Sequence, residues 1–265
     1  MAQSPPAPPR TRRPARIARI GTAGWTLPRE HQPGFPAEGS HLARYAAVLD
    51  AAEINSTFRR SHRPATLARW AASVPASFQF SVKLPRAITH DARLVAAEPL
   101  LDAFLDEMAP LRERIGCMLV QLPPSLGFDA TVATRFLGAL RERHAGGVAL
   151  EPRHADWFSS AAERLLARQR IARVAADPAR VPGAGEPGGY DGLVYHRLHG
   201  TPRIYYSAYD DDVLDRLAAR VRASVDRGIS TWCIFDNTTL GAATGNALAL
   251  RARLDAAQRA SPPGR

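Results

Sequence analysis

Residues 147–177 read GVALEPRHADWFSSAAERLLARQRIARVAAD. The opening GVALE is a continuously apolar run of strand length that ends on a carboxylate. SAAERLLARQR (160–170) returns apolar residues every three or four positions, as one face of a helix does, and IARVAAD (171–177) is a second apolar run ending on a carboxylate. A strand that is apolar on both faces is covered on both faces, as in parallel sheets, and two parallel neighbours need a crossover of helix length between them. The segment is therefore predicted to be a βαβ unit.

The same unit repeats in both directions. Before it come ARIARIG (15–21), AEINS (52–56), FQFSVK (78–83) and CMLVQ (117–121), and after it LVYHRLH (193–199) and TWCIFD (231–236), which makes eight strand-like runs. Helical periodicity fills the intervals at 41–50, 65–74, 98–114 (despite Pro110), 129–144, 211–227 and 241–257. Only the sixth connection, PARVPGAGEPGGYDG (178–192), is too rich in Pro and Gly for a full helix and is predicted to be a loop with at most one turn. An open doubly wound sheet would also alternate in this way, but no GxGxxG or phosphate-binding loop supports one. The predicted fold is a single α/β domain, a (β/α)8 barrel over residues 16–258, between a Pro- and Arg-rich tail (1–15) and a short C-terminal tail (259–265), both expected to be disordered.

Composition narrows the function classes. With 265 residues, 45% hydrophobic and 23% charged, the chain suits one large soluble core. No window has the apolar length of a membrane span or a signal-peptide core, so no membrane partner and a cytoplasmic location are expected. Cys117 and Cys233 each lie in an apolar run without zinc-site spacing and are read as buried structural thiols. The net charge of +10 raises nucleic acid as a partner, although the positive residues are spread along the chain and Arg10, Arg12, Arg13 and Arg16 lie in or beside the Pro-rich start.

Of the 35 lysines and arginines only Lys83 is a lysine, and asparagine occurs only at Asn55, Asn237 and Asn246. A composition that has replaced these residues elsewhere marks the survivors as retained. Arginine cannot stand in for a compact ammonium or for an amine that must lose its proton.

In a barrel the catalytic face is the C-terminal end of the strands. Polar residues gather there: Glu53 and Asn55 after the second run, Lys83 with His90 after the third, Gln121 after the fourth, and Glu151, Arg153 and His154 after the fifth. Asp177 follows the sixth, Arg197 and His199 close the seventh, and Asp236 and Asn237 close the eighth. A ring of carboxylates, imidazoles, an amine and guanidiniums in a partly dry cup is suited to acid–base work. Glu53, Lys83, Glu151, His154 and His199 are the catalytic candidates. Asn55, His90, Gln121, Arg153, Trp157, Asp177, Arg197, Asp236 and Asn237 are the substrate-binding candidates. Trp25, Phe58, Tyr206 and Tyr209 stand near as pocket walls, while His196, of opposite parity to Arg197, is expected to point outward, and His31, His41, His62 and His144 are read as surface residues. No set has diagnostic metal spacing; the cofactor is left unassigned, with a divalent metal on carboxylates and imidazoles as one option.

The motifs IGTAGW (20–25), AEINSTF (52–58), FSVKLPRAITH (80–90), VQLPPS (120–125), LEPRHADW (150–157), YHRLHG (195–200) and FDNTTLGAATGNAL (235–248) together resemble the DUF72 (YecE-like) family, from about residue 17 to residue 252. The resemblance implies a TIM-like barrel and marks the strand-end positions above, with Gly200 and Asn246, as family-pattern positions; it implies no reaction. Arg59 and Asp236 depart from that pattern. The expected function is an enzyme acting on a small polar or anionic molecule, sugar- or phosphate-bearing. A nucleic-acid-binding or metal-dependent phosphodiester-processing protein is the second class, and a non-catalytic ligand-binding protein the third.

Overall fold

The computed structural model describes residues 18–260. Residues 1–17 and 261–265 lie outside it, and with them the expected N-terminal tail and all but the first two residues of the expected C-terminal one.

The strands are β1 (Ala18–Ala23), β2 (Ala51–Ile54), β3 (Gln79–Lys83), β4 (Ile115–Gln121), β5 (Gly147–Glu151), β6 (Ala172–Arg173), β7 (Ala175–Asp177), β8 (Gly188–Gly189), β9 (Leu193–Leu198) and β10 (Ser230–Phe235). β1 to β6 pair in sequence order, all in parallel, and β10 joins β1 to β9. β6 and β7 are two halves of one segment split at Val174: the first half pairs with β5, the second with β9. That segment closes the sheet into a barrel with eight strand positions, as the eight apolar runs predict.

Helices α1 (His41–Ala46), α2 (Pro64–Ala72), α3 (Glu98–Glu107), α4 (Ala130–Arg143), α5 (Ser160–Arg168), α6 (Asp211–Asp226) and α7 (Ala242–Ala260) pack outside. Local chemistry sets several of their starts: the Asp129 carboxylate accepts from the N–H groups of Thr131 and Val132, and the Asp210 carboxylate from that of Val213. The helix predicted over 98–114 is two elements. α3 stops at Glu107 and a 3₁₀ stretch (Ala109–Arg114) restarts with Pro110 in its first turn, because proline cannot donate within a helix but fits where no donor is needed. The sixth connection has no helix; its Gly188–Gly189 pair forms a short antiparallel strand on β6.

Two cores result. Between sheet and helices lies the larger, built on residues such as Ile20, Phe80, Leu137, Leu166 and Phe235. Inside the barrel lie Ala51, Cys117, Leu119, Ala149, Ala172, Val174, Leu193, Tyr195, Trp232 and Ile234. The neck is tight: a Cβ at Gly21 would lie 1.9 Å from the Ala51 carbonyl oxygen, so the IGTAGW motif needs glycine there. Both cysteines are buried free thiols. Among the described residues no helix is long and apolar enough to cross a membrane.

Candidate active site

A strand alternates its side chains, so the inward face that is apolar at the barrel's base continues at the C-terminal end in the same register. Leu193 and Tyr195 are inner-core residues and Arg197 and His199 follow them in; Cys117 and Leu119 lead to Gln121, Ala149 to Glu151, Ala51 to Glu53, and Trp232 and Ile234 to Asp236. Parity alone turns these polar residues into one cup.

Arg197 stands at its centre, 1% exposed. Its Nη2 donates to Glu53 Oε1 at 2.7 Å and lies 2.9 Å from Asp236 Oδ2; its Nη1 donates to Glu151 Oε2 at 3.1 Å. Three carboxylates thus share one guanidinium, whose planar fork can serve several at once. Burial would discharge the arginine, but the charges of Asp236, Glu53 and Glu151 win and hold its pKa well above the usual value. Tyr195 adds a donor, its hydroxyl 2.8 Å from Glu53 Oε2.

His199 bridges two of the same carboxylates, with Nδ1 3.0 Å from Asp236 Oδ2 and Nε2 3.2 Å from Glu151 Oε1. Burial favours the neutral ring, yet Glu151 and Asp236 outweigh it and raise the histidine's pKa. The carboxylates respond in reverse. Burial pushes Glu151 up, while Arg197 and His199 bring it well below the ordinary value, and Asp236 is lowered in the same way. Glu151 and Asp236 therefore hold charge in place; they are poor bases near neutral pH.

A pH prediction follows from these signs. The imidazolium's contribution to stability is complete below about 6.5, the unfolded value, and is lost as pH rises through the raised folded one. The Glu151 and Asp236 contributions are complete above about 4.3 and are lost as pH falls through their depressed values. In melting curves taken across pH, the difference between wild type and His199→Gln is expected to shrink steadily above pH of about 6.5. A constant difference would refute the charged bridge.

Lys83 is the remaining cup residue, 8% exposed. Its ammonium lies 4.2 Å from the Phe58 ring centroid, and His90 meets the same ring edge-on at 4.9 Å. Desolvation, then Arg197, lowers its pKa to about 8. Arg153 closes over Glu151 with Nη2 3.1 Å from Oε1, and Asn55 donates to Asp236 Oδ1 at 3.4 Å. Gln121 pairs in register with Glu151 at the strand ends. Beside the cup lies a cleft of about 330 Å³ that Glu53, Asn55 and Asp236 also line, walled by Trp25 and Trp70 with Arg60 at its edge.

Four expected site residues are placed elsewhere. His154 is an N-cap: its Nδ1 accepts from the Asp156 N–H and sits 3.3 Å from Asp156 Oδ2, clear of the Arg197 cluster. Trp157 is 1% exposed and donates its indole N–H to Leu126 O. Asp177 faces outward, in register with Leu198, and accepts from Tyr209 and Thr201 hydroxyls. Asn237 donates to Ser207 O and Asn246 Oδ1, and Asn246 in turn holds both backbone groups of Tyr209, so the retained asparagines brace the 200–209 loop.

Other readings fare differently. His196 does point outward, as its parity predicts, into a pocket under α6. Of the four histidines read as surface residues, His41 is exposed, whereas His31, His62 and His144 are half-buried. Asp236, a departure from the family pattern, is a full member of the cluster, whereas Arg59 is exposed. Three further residues join the site: Tyr195 and Ser81, which share the parity of Arg197 and Lys83, and Tyr205, whose ring meets His199 edge-on at 5.7 Å and whose φ of 70° no local motif signals. Among the described residues no group of His, Cys, Asp and Glu side chains is arranged to hold a metal ion; the cup's own carboxylates are engaged by Arg197, Arg153 and His199.

Comparison with known proteins agrees with this architecture. The chain is 30% identical over 164 residues to the UPF0759 protein YecE of Escherichia coli K12, covering 60% of this chain and 58% of that one. It is 31% identical over 145 residues to the O157:H7 counterpart, 54% and 51% of the two chains, so it spans little more than half the length of these curated relatives. A DUF72 family protein of Enterococcus faecalis superposes with a TM-score of 0.74 at 21% identity, covering 90% of this chain and 96% of its own. Another, from Thermotoga maritima, gives 0.73 at 23% identity, covering 90% and 99%. At such identities the superpositions establish the fold alone. The profile of the family described as "Protein of unknown function DUF72" matches residues 19–265, and the chain belongs to that family.

Proposed function

We propose that this protein is an enzyme that takes a small polar or anionic substrate, sugar- or phosphate-bearing, at the C-terminal face of its barrel, in the cytoplasm. One observation carries the reading: the buried charge cluster opens into a cleft instead of closing on itself. Glu53, Asn55 and Asp236 are at once members of the Arg197 network and walls of the space beside Trp25 and Trp70. A buried charge cluster returns little net stability because desolvation offsets its attraction, so one that borders a cleft is better read as a site than as a stability device. The apolar faces of two tryptophans suit a sugar ring or a planar group, and Arg60 offers an anion partner at the rim.

The test is a thermal-shift screen of the full chain against sugar phosphates, small carboxylic and carbonyl acids, nucleotides, divalent metals and short oligonucleotides. A ligand at about a hundred times its Kd stabilises by about 2.7 kcal/mol, which for a domain of this size raises Tm on the order of 5–10 °C. We expect a small-molecule hit that disappears in both Lys83→Met and Glu151→Gln. A screen that responds only to oligonucleotides, with a response that vanishes at high salt, would transfer the reading to nonspecific nucleic-acid attraction.

A further inference from the structure

We infer that Lys83 is the covalent nucleophile of the cup: its Nζ condenses with the carbonyl carbon of an aldehyde or ketone substrate to form an iminium. The inference rests on reading the cup as an active site and names its substrate class.

Glu53 gives Oε1 to Arg197 and Oε2 to Tyr195 and Arg197. Glu151 gives Oε1 to Arg153 and His199 and Oε2 to Arg197. Asp236 gives Oδ2 to Arg197 and His199 and Oδ1 to Asn55. Every carboxylate oxygen of the cluster is occupied, and among the described residues none forms an ion pair with Lys83. A lysine retained for structure pairs with a carboxylate; this one is buried within electrostatic reach of three and forms an ion pair with none of them, its head resting on an aromatic face.

Two agents then favour the free amine: desolvation and the neighbouring Arg197 guanidinium, together sufficient to bring its pKa to about 8. These are the two conditions that activate lysine amines towards carbonyl groups. The composition points the same way. A chain that carries arginine at every other basic position retains lysine where arginine, which stays protonated, could not attack.

The step balances within the cup. The ammonium releases one proton, and the amine lone pair forms the C–N bond while the carbonyl π pair moves to oxygen. A second nitrogen proton passes to that oxygen, giving a carbinolamine. The proton first released returns to the hydroxyl, which leaves as water as the C=N bond forms. The iminium carries the single positive charge the ammonium brought, and as an electron sink it favours proton loss or bond cleavage at the adjacent carbon.

Because the chain has one lysine, borohydride trapping reads the site directly. The full protein is incubated with pyruvate, dihydroxyacetone phosphate, glyceraldehyde phosphate or ribose phosphate, reduced with borohydride, and analysed by intact and peptide mass. We expect a gain equal to the carbonyl compound less one oxygen, located on Lys83, absent in Lys83→Arg and Lys83→Met, and rising with pH through about 8. The charged groups facing the amine are Arg197, Glu53, Glu151 and Asp236, with His90 across Phe58, and among these Arg197 adds to desolvation in lowering it. Thermal melts of both variants establish that they fold. A gain confined to the α-amino group, or no gain while thermal-shift hits persist and are lost in Glu151→Gln, overturns the nucleophile and leaves the active-site reading standing. Silence in both assays overturns both.

Discussion

Arg197→Met is expected to be among the most damaging single substitutions in this protein. The methionine fills much of the arginine's volume, so a packing defect is small; the loss is electrostatic. Glu53, Glu151 and Asp236, 0%, 2% and 7% exposed, would remain in the barrel, Glu53 with no charged partner among the described residues, Asp236 with His199 alone and Glu151 with Arg153 and His199. Removing one partner of a buried ion pair costs about 3–5 kcal/mol because the other charge is left uncompensated, and here Glu53 is left so while Glu151 and Asp236 each lose a partner. For a domain of this size that is a fall in Tm on the order of 10 °C or more at neutral pH. The loss is expected to be smaller at acid pH, where the stranded carboxylates can take up protons. A variant melting within about 2 °C of wild type at pH of about 7 would show that the cluster contributes nothing net to the fold.

The second large effect concerns Trp157, which the sequence places at a strand end as a substrate contact and the structure places beneath the surface. Its ring meets Phe128 edge-on at 5.1 Å and its N–H is held by the Leu126 carbonyl. Trp157→Ala is expected to cost about 3–5 kcal/mol through the cavity it leaves. Its signature is a lower melting point with an unchanged Kd for any compound that scores in the thermal screen. Trp25→Ala should weaken that Kd, since Trp25 lines the cleft and packs on Trp70. A Trp157 variant that melted normally but lost its ligand would return this residue to the site.

The two tryptophans illustrate where a one-dimensional reading stops. Both follow a strand and both lie in motifs, IGTAGW and LEPRHADW, yet only one reaches the cleft. The same division runs through the histidines. His199 lies one residue beyond a strand and inherits its alternation, so its direction follows from Arg197 and Tyr195. His154 lies three residues beyond β5, where the chain has left the pleat and its backbone, extended at φ −111° and ψ 142°, serves the cap of the next turn. Asp177 was ambiguous for another reason. The segment leading to it, VAAD, has small apolar residues on both faces, and only the pairing of Ala175 with His196 decides that Val174 and Ala176 face in and the aspartate out.

Sequence by itself determined an eight-stranded parallel α/β fold, because eight both-face-apolar runs separated by helical intervals have few ways to bury themselves; closure into a barrel was favoured over an open sheet by the lack of a GxGxxG or phosphate-binding loop. Asp177 aside, it also made legible the direction of the cup members that lie within a strand or one residue past it, because alternation is a property of the extended chain. It singled out Lys83 through composition. Tertiary structure alone decided how those members divide their charges: that one guanidinium takes three carboxylates, that an imidazole bridges two of them, and that the amine is left out. That division depends on distances of a few ångströms between strands far apart in the chain, where screening, burial and hydrogen-bond geometry choose among pairings that the sequence makes equally available.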